Sequence, residues 1–254
     1  MVTALRHHHG RARGLALDGC AVAMERAMKI EVWADIICPW CGLGVHRLKQ
    51  ALARFPHAAE VSVVHHSFQL DERASTSTEP VRSMLRHKMG ASDAQIERMT
   101  GQIEQMAQAE GLQPYHVLDN RVGNTSLAHE LAAWATALGR GSEMWDALFV
   151  AYFGEARSIF DVDSLAPLAA RVGLDPDAAR QALVARQFAE QVLADGREAR
   201  ALGATGVPFT VIDRRRGIAG AQPAEAILTA LQASWQAAEK GVNERNHQDA
   251  RGTK

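Results

Sequence analysis

A strand that must pass straight into a helix, with a cysteine on each side of the junction's first turn, constrains this chain most. The apolar stretch Ile30-Glu31-Val32-Trp33-Ala34 is followed at once by Cys38-Pro39-Trp40-Cys41. Two cysteines with two residues between them, at a strand-to-helix step, suit dithiol–disulfide exchange. The first thiol falls at the helix N-terminus, where unsatisfied N–H groups and the helix dipole favour a thiolate. The second lies one turn further on and can close a disulfide with the first. The whole chain of 254 residues holds 3 cysteines, too few for a structural disulfide framework.

The rest of the pattern is read around that step. Lys29 to Asp35 reads as a strand with Val32 and Trp33 on opposite faces, both buried. Val45, Leu48, Leu52 and Phe55 recur at helical spacing, and Pro56 closes the segment. Val61-Ser62-Val63-Val64-His65 is a second β-branched run, expected parallel to the first through a right-handed crossover. From Pro80 to Gly203 the periodicity is helical. Ser92-Asp93-Ala94-Gln95 is a capping box ahead of Ile96, Met99, Ile103 and Met106, and Asp175-Pro176 starts another helix. Strand signals return at Phe209-Thr210-Val211-Ile212, with a short partner around Ile218 beyond an arginine-rich turn. Pro223 then opens a helix carrying Ile227, Leu231 and Trp235.

The order β-α-β, helical block, β-β-α gives an α/β protein resembling a thioredoxin-like fold with an inserted all-helical subdomain. The expected organisation is a disordered leader at 1–27, a thioredoxin-like domain from 28–78 and 204–238, a helical insertion at 79–203, and a polar, aperiodic, disordered tail at 239–254. In the leader, Arg6, Arg11 and Arg13 with His7, His8 and His9 mimic the basic start of a signal peptide. Asp18 interrupts the short apolar stretch that follows, which argues against export and against a lipoprotein site at Cys20. The protein is therefore expected in the cytoplasm. A net charge of -1 gives no electrostatic case for nucleic acid or an acidic membrane surface. No apolar run approaches the roughly 20 residues of a membrane span.

A thioredoxin-like site also needs a cis-proline facing the cysteine pair, and Gly206-Val207-Pro208-Phe209 stands just before the third strand, where that proline belongs. Its bend leaves the Val207 backbone free to pair with an extended peptide. Together, Asp35-Ile36-Ile37-Cys38-Pro39-Trp40-Cys41, Asn124-Thr125, Ala128-His129, Gly206-Val207-Pro208-Phe209 and Gly220-Ala221-Gln222-Pro223 resemble the DsbA-type oxidoreductases of the FrnE subgroup. The resemblance covers about Lys29 to Trp235, and the motifs occur in the family's order. It implies Cys38 as the nucleophilic cysteine, Cys41 as the resolving one and Pro208 as the cis-proline. Members often work in the cytosol. Some carry a second cysteine pair near the C-terminus, which this chain lacks.

The expected reaction is exchange of the Cys38–Cys41 dithiol or disulfide with protein or small-molecule thiols through a mixed disulfide. No bound cofactor or metal is needed; glutathione or other thiols serve as electron donors. Pro39 and Trp40 would tune the pair, and the histidine common between the cysteines of strong oxidants is absent. Asp35, three residues before Cys38, would relay a proton to Cys41 if buried, or else cap the turn. His129 is placed with Val207 and Pro208 on the substrate side of the cleft. His65, His66 and a single CxxC pair do not supply the four ligands of a structural zinc site. Met84, Met89, Met99 and Met106 read as core at their helical spacing rather than as a pliable peptide-binding face. The alternative function is a glutathione-dependent isomerase or transferase of the 2-hydroxychromene-2-carboxylate isomerase or kappa class. Those relatives carry a serine where Cys38 stands. A non-catalytic binding module using the helical cleft is a third reading.

Overall fold

The computed structural model describes residues 27–252, with side chains to 240. The expected leader, apart from its last residue, and Cys20 lie outside the described residues. Strand β1 (Met28–Ala34) leads into helix α1 (Pro39–Ala53), and β2 (Val61–Ser67) returns beside β1. The two strands are parallel, with Ile30 opposite Val63 and Val32 opposite His65. Near the C-terminus, β5 (Phe209–Ile212) pairs antiparallel with β1, and β6 (Arg216–Ala219) pairs with β5. The sheet order is β2-β1-β5-β6. β1 is central, which is why its side chains are buried on both faces.

The two faces are buried differently. Ile30, Val32 and Ala34 join the main core with Leu43 and Leu48 of α1. Ile227, Leu231 and Trp235 of the last helix, α10 (Ala224–Gly252), complete that side. Trp33 faces the other way, into a small core with Phe68, Phe209, Val211 and Ala199. Its indole N–H donates to the Asp195 carbonyl at 3.0 Å. On the same face Glu31 is fully buried, and Arg214, Lys29 and His66 surround its carboxylate. Burial opposes that charge, but the bonds from Arg214 and Lys29 prevail and hold its pKa down at about 2. Arg214 reaches Glu31 from the three-residue turn between β5 and β6, in which Asp213 and Arg214 both take positive φ and the Arg215 N–H donates to the Ile212 carbonyl at 3.0 Å.

Between β2 and β5 the chain is mostly helical: α2 (Val81–Met89), α3 (Asp93–Ala109), α4 (Ser126–Ala137), α5 (Gly141–Phe149), the short α6 (Val162–Leu165) and α7 (Leu168–Arg171), α8 (Pro176–Val184) and α9 (Ala189–Ala201). α3 begins with the reciprocal capping box of Ser92 and Gln95. Asp175 caps α8 ahead of Pro176. α9 packs on β1 and β2, while α4 and α5 cover the edge of β2.

Three sequence readings change. The segment 239–254 was expected to lack structure, yet α10 continues to Gly252. A helix already nucleated by packed Ile227, Leu231 and Trp235 extends at a small cost per added residue, even through Gly241, Asn243 and Asn246, so polarity does not signal its end. The helical block also contains a two-residue bridge, β3 (Glu79–Pro80) against β4 (Arg121–Val122). In α3 the buried stripe is Ile96, Thr100, Ile103 and Ala107; Met99 is exposed, as is Met89 at the end of α2. Thr100 and Ala107 share the stripe with Ile96 and Ile103, and Met106 packs against the core as expected, so Met89 and Met99 are the methionines that turn outward.

Candidate active site

Cys38 is the N-cap of α1, with extended backbone (φ -81°, ψ 114°) and Pro39 as the first helical residue. Pro39 has no N–H to satisfy, so it costs nothing there. The Cys38 carbonyl accepts from the N–H groups of Cys41 (2.9 Å) and Gly42 (3.3 Å), starting the helix. No side chain caps the helix, so the Cys38 sulfur sits at its positive end. Both cysteines are free thiols. Cys38 keeps 5% of its surface exposed and Cys41 none. Burial pushes the Cys41 thiol well above its ordinary range, and its contact with Cys38 adds to the rise. The two sulfurs are thus inequivalent: one at the surface end of a dipole, the other enclosed.

The Val207–Pro208 peptide bond is cis, and this loop lies against the pair. The Cys38 thiol faces the Val207 carbonyl at 3.8 Å. Pro208 is held between strand and helix. Its carbonyl accepts from Gly220 at 2.8 Å, and its ring closes on Gly44 of α1. Only a residue without a side chain fits there: a Cβ on Gly44 would stand 2.8 Å from Pro208 Cγ.

Behind the pair lies Asp35, fully buried at the end of β1. Its Oδ2 accepts from the Leu70 N–H at 2.8 Å, and its Oδ1 lies 3.2 Å from His129 Nε2. His129, expected on the substrate side of the cleft, is instead fully enclosed. It stands in the first turns of α4, which is packed inside the protein, so it meets Asp35 rather than solvent. Beside Asp35 and Ile37 a cavity of about 450 Å³ opens, walled by Leu70, Met84, Arg73 and Lys88 among others. Trp40, between the two cysteines, is exposed.

Two tyrosines that no motif marks as site residues stand close to the site. The Tyr115 hydroxyl donates to the Pro39 carbonyl at 2.5 Å and fills the space left by Gly42, in contact with the first turn of α1. The Tyr152 hydroxyl donates to the Arg121 carbonyl at 2.8 Å. Burial raises both phenols well above their usual range; the cysteines add to the rise at Tyr115, the Asp35 charge at Tyr152. Neither belongs to a motif; Gly42 and Gly44 flanking the cysteine turn are the available sign that something packs closely on α1. His65 and His66 lie elsewhere, on β2. His65 stacks on Trp145, and His66 stacks on Trp33. Among the described residues, the one group of three potential metal ligands is His66, Asp195 and Glu198, and neither cysteine is part of it.

Comparison with known proteins agrees with this architecture. The family model described as "DSBA-like thioredoxin domain" matches residues 29–232. The crystal structure of a probable DsbA oxidoreductase, SCO1869 from Streptomyces coelicolor, superposes with a TM-score of 0.79 at 42% identity, covering 82% of this chain and 90% of that one. Two more distant structures share the fold. A 2-hydroxychromene-2-carboxylate isomerase has a TM-score of 0.62 at 14% identity, over 85% of this chain and 98% of that one. The cytosolic disulfide reductase DsbM from Pseudomonas aeruginosa, solved with GSH, has 0.55 at 22%, over 82% and 99%.

Proposed function

Since the chain belongs to the DSBA-like thioredoxin domain family, we propose that it is a thiol–disulfide oxidoreductase working through Cys38 and Cys41. The observation that carries this reading is the asymmetry of the pair. Cys38 sits at a helix N-terminus, 3.8 Å from the Val207 carbonyl, while Cys41 is enclosed and holds its proton. Cys38, as thiolate, attacks a client disulfide and forms a mixed disulfide, and the client's leaving sulfur departs with the electron pair. Cys41 then attacks Cys38, closing the Cys38–Cys41 disulfide and freeing the second client sulfur. The reverse sequence oxidises a client dithiol.

Val207 and Pro208 form the wall against which an extended client lies, and exposed Trp40 is open to contact with it. Pro39 and Trp40 tune the pair through the geometry of the first helical turn. The cavity beside Ile37 is large enough for a small thiol such as glutathione, which would return electrons without any resident cofactor or metal. The location we favour is the cytoplasm, on the interruption of the leader's apolar stretch by Asp18. Neither nucleic acid nor an acidic membrane surface is a partner in this reading, because a net charge of -1 gives no electrostatic hold on either.

Cys38→Ser is the test. It should abolish insulin-disulfide reduction, and Cys41→Ser should accumulate a mixed disulfide on Cys38. Insulin reduction at the wild-type rate by Cys38→Ser would refute the assignment. The fold is equally compatible with a glutathione-dependent isomerase, but such an enzyme needs no second thiol, so its activity would survive Cys41→Ser.

A further inference from the structure

The buried Asp35–His129 pair has no part yet in the exchange chemistry. Asp35 ends β1, whereas His129 comes from α4 in the inserted helices, and both side chains are essentially without exposure. Every neighbour bonded to the carboxylate is a donor: the Leu70 N–H at 2.8 Å, the Ile37 N–H at 3.5 Å and His129 Nε2 at 3.2 Å. The other ring nitrogen, His129 Nδ1, is buried without a partner, and the ring stands edge-on to Trp145 at 5.5 Å. In such surroundings a bare lone pair costs less than an unpaired N–H on a charged ring. The tautomer is therefore Nε2–H, and His129 donates to Asp35.

Cys41 must lose a proton before it can attack, and it has no exposed surface from which water could take it. The titratable groups facing this site come from several elements: Cys38 and Cys41 from α1, His129 from α4, Tyr152 after α5, and Tyr115 from the loop before β4. Both phenols already donate to carbonyls, Tyr115 to Pro39 and Tyr152 to Arg121. Asp35 precedes the pair by three residues, its backbone carbonyl accepts the Cys38 N–H at 3.1 Å, and its charge is felt at the Cys41 thiol, so the cysteine turn itself sets a carboxylate beside the resolving sulfur.

Resting on the dithiol-exchange reading above, we propose that His129 is a positioning residue for the resolving step, holding the Asp35 carboxylate where it accepts the Cys41 proton. In that step the Cys41 S–H bond breaks and its proton goes to Asp35. The Cys41 thiolate forms the Cys41–Cys38 bond, and the Cys38–client bond breaks with its electron pair on the client sulfur. The client sulfur is reduced and finally takes the proton; the two cysteines are oxidised. In the opposite direction Asp35 returns the proton to Cys41 as it leaves.

A chromogenic aryl disulfide mixed with the reduced full-length protein separates the two steps. The first release of aryl thiolate reports attack by Cys38, and the second reports attack by Cys41. Glutamine places an amide nitrogen near the site of His129 Nε2, while asparagine reaches only the site of Nδ1. His129→Asn should slow the second release by about tenfold or more and leave the first unchanged. Its second release should also rise more steeply with pH than the wild type's, as hydroxide replaces the lost base. His129→Gln should keep the wild-type second release. Asp35→Asn should slow it as His129→Asn does, and the double variant should be no slower than either single one. Equal slowing of both releases, identical behaviour of Gln and Asn, or additive effects of the two sites would overturn the proposal. If His129→Asn does not fold, a slow second release in His129→Gln would overturn it equally, and a wild-type one beside a slow Asp35→Asn would support it. Absence of the first release in the unmodified protein would instead refute dithiol exchange itself.

Discussion

Adding one methyl group at Gly44 sets helix propensity against the fit between α1 and the Pro208 loop. Alanine in a helix interior is favoured over glycine by about 1 kcal/mol, so an unopposed Gly44→Ala would stabilise the protein. The new Cβ, however, would lie 2.8 Å from Pro208 Cγ and 3.4 Å from Ala221 Cβ. Comfortable carbon contacts lie at about 3.5–4.0 Å, which leaves the Pro208 contact short by roughly 1 Å. The proline ring cannot rotate away, and the Pro208 carbonyl is fixed by the Gly220 N–H at 2.8 Å. Relief must come from moving the loop off α1. Overpacking of this kind costs about 1–3 kcal/mol, which outweighs the propensity gain and leaves a net loss of about 1 kcal/mol. The same movement carries the Val207 carbonyl away from Cys38. Urea unfolding should show a lower midpoint at an unchanged slope. Exchange with a peptide disulfide should slow severalfold while alkylation of Cys38 by a small reagent stays at the wild-type rate. A variant more stable than wild type by about 1 kcal/mol, with normal peptide exchange, would mean that α1 and the Pro208 loop are not in contact in solution.

Two further perturbations probe the groups around the site and the sheet. His65 is buried with both ring nitrogens unpartnered, and burial holds its pKa down to about 4. The unfolded chain takes that proton near 6.5, so the stability this group contributes is complete above 6.5 and is lost as the pH falls toward 4. The loss amounts to about 3 kcal/mol at most; His65→Phe, which keeps the stack on Trp145, should flatten the stability profile between these pH values in thermal melts. Tyr115→Phe removes the bond to the Pro39 carbonyl and should cost about 1 kcal/mol in urea unfolding. A wild-type midpoint would show that this hydroxyl does not brace the first turn of α1.

What could be read in the sequence followed from local rules. The Pro39 position, the capping box at Ser92 and the Asp175 cap are written in a few adjacent residues, and each appears in the structure as spacing requires. The pairing of β1 with β2 follows from two β-branched runs and the handedness of the crossover. The residues that escaped are those whose environment depends on elements far apart in the chain. His129 is 94 residues from Asp35, and Tyr115 is 76 from Pro39. Nothing in the periodicity of α4 says that a polar residue beside its apolar seam turns inward, because its partner belongs to another element. The tail differs for another reason: hydrophobic periodicity reports what a helix packs against, whereas a helix once nucleated propagates without needing an apolar stripe, and α10 runs on to Gly252.

The arrangement also explains why the inserted helices cannot be regarded as a detachable accessory. A four-stranded sheet with α1 and α10 would leave Asp35, at the end of β1, and Cys41 open on the side where α4 and the Tyr115 loop now stand. The carboxylate would lose the His129 donor, and Pro39 would lose the Tyr115 hydroxyl. Water would then reach Cys41, and the burial that holds its proton would fall away. Enclosure of Cys41 is what sets the two thiols apart in burial and holds the resolving proton in place. That enclosure is built by residues contributed from the insertion, so the division of labour within the pair depends on helices distant from it in sequence.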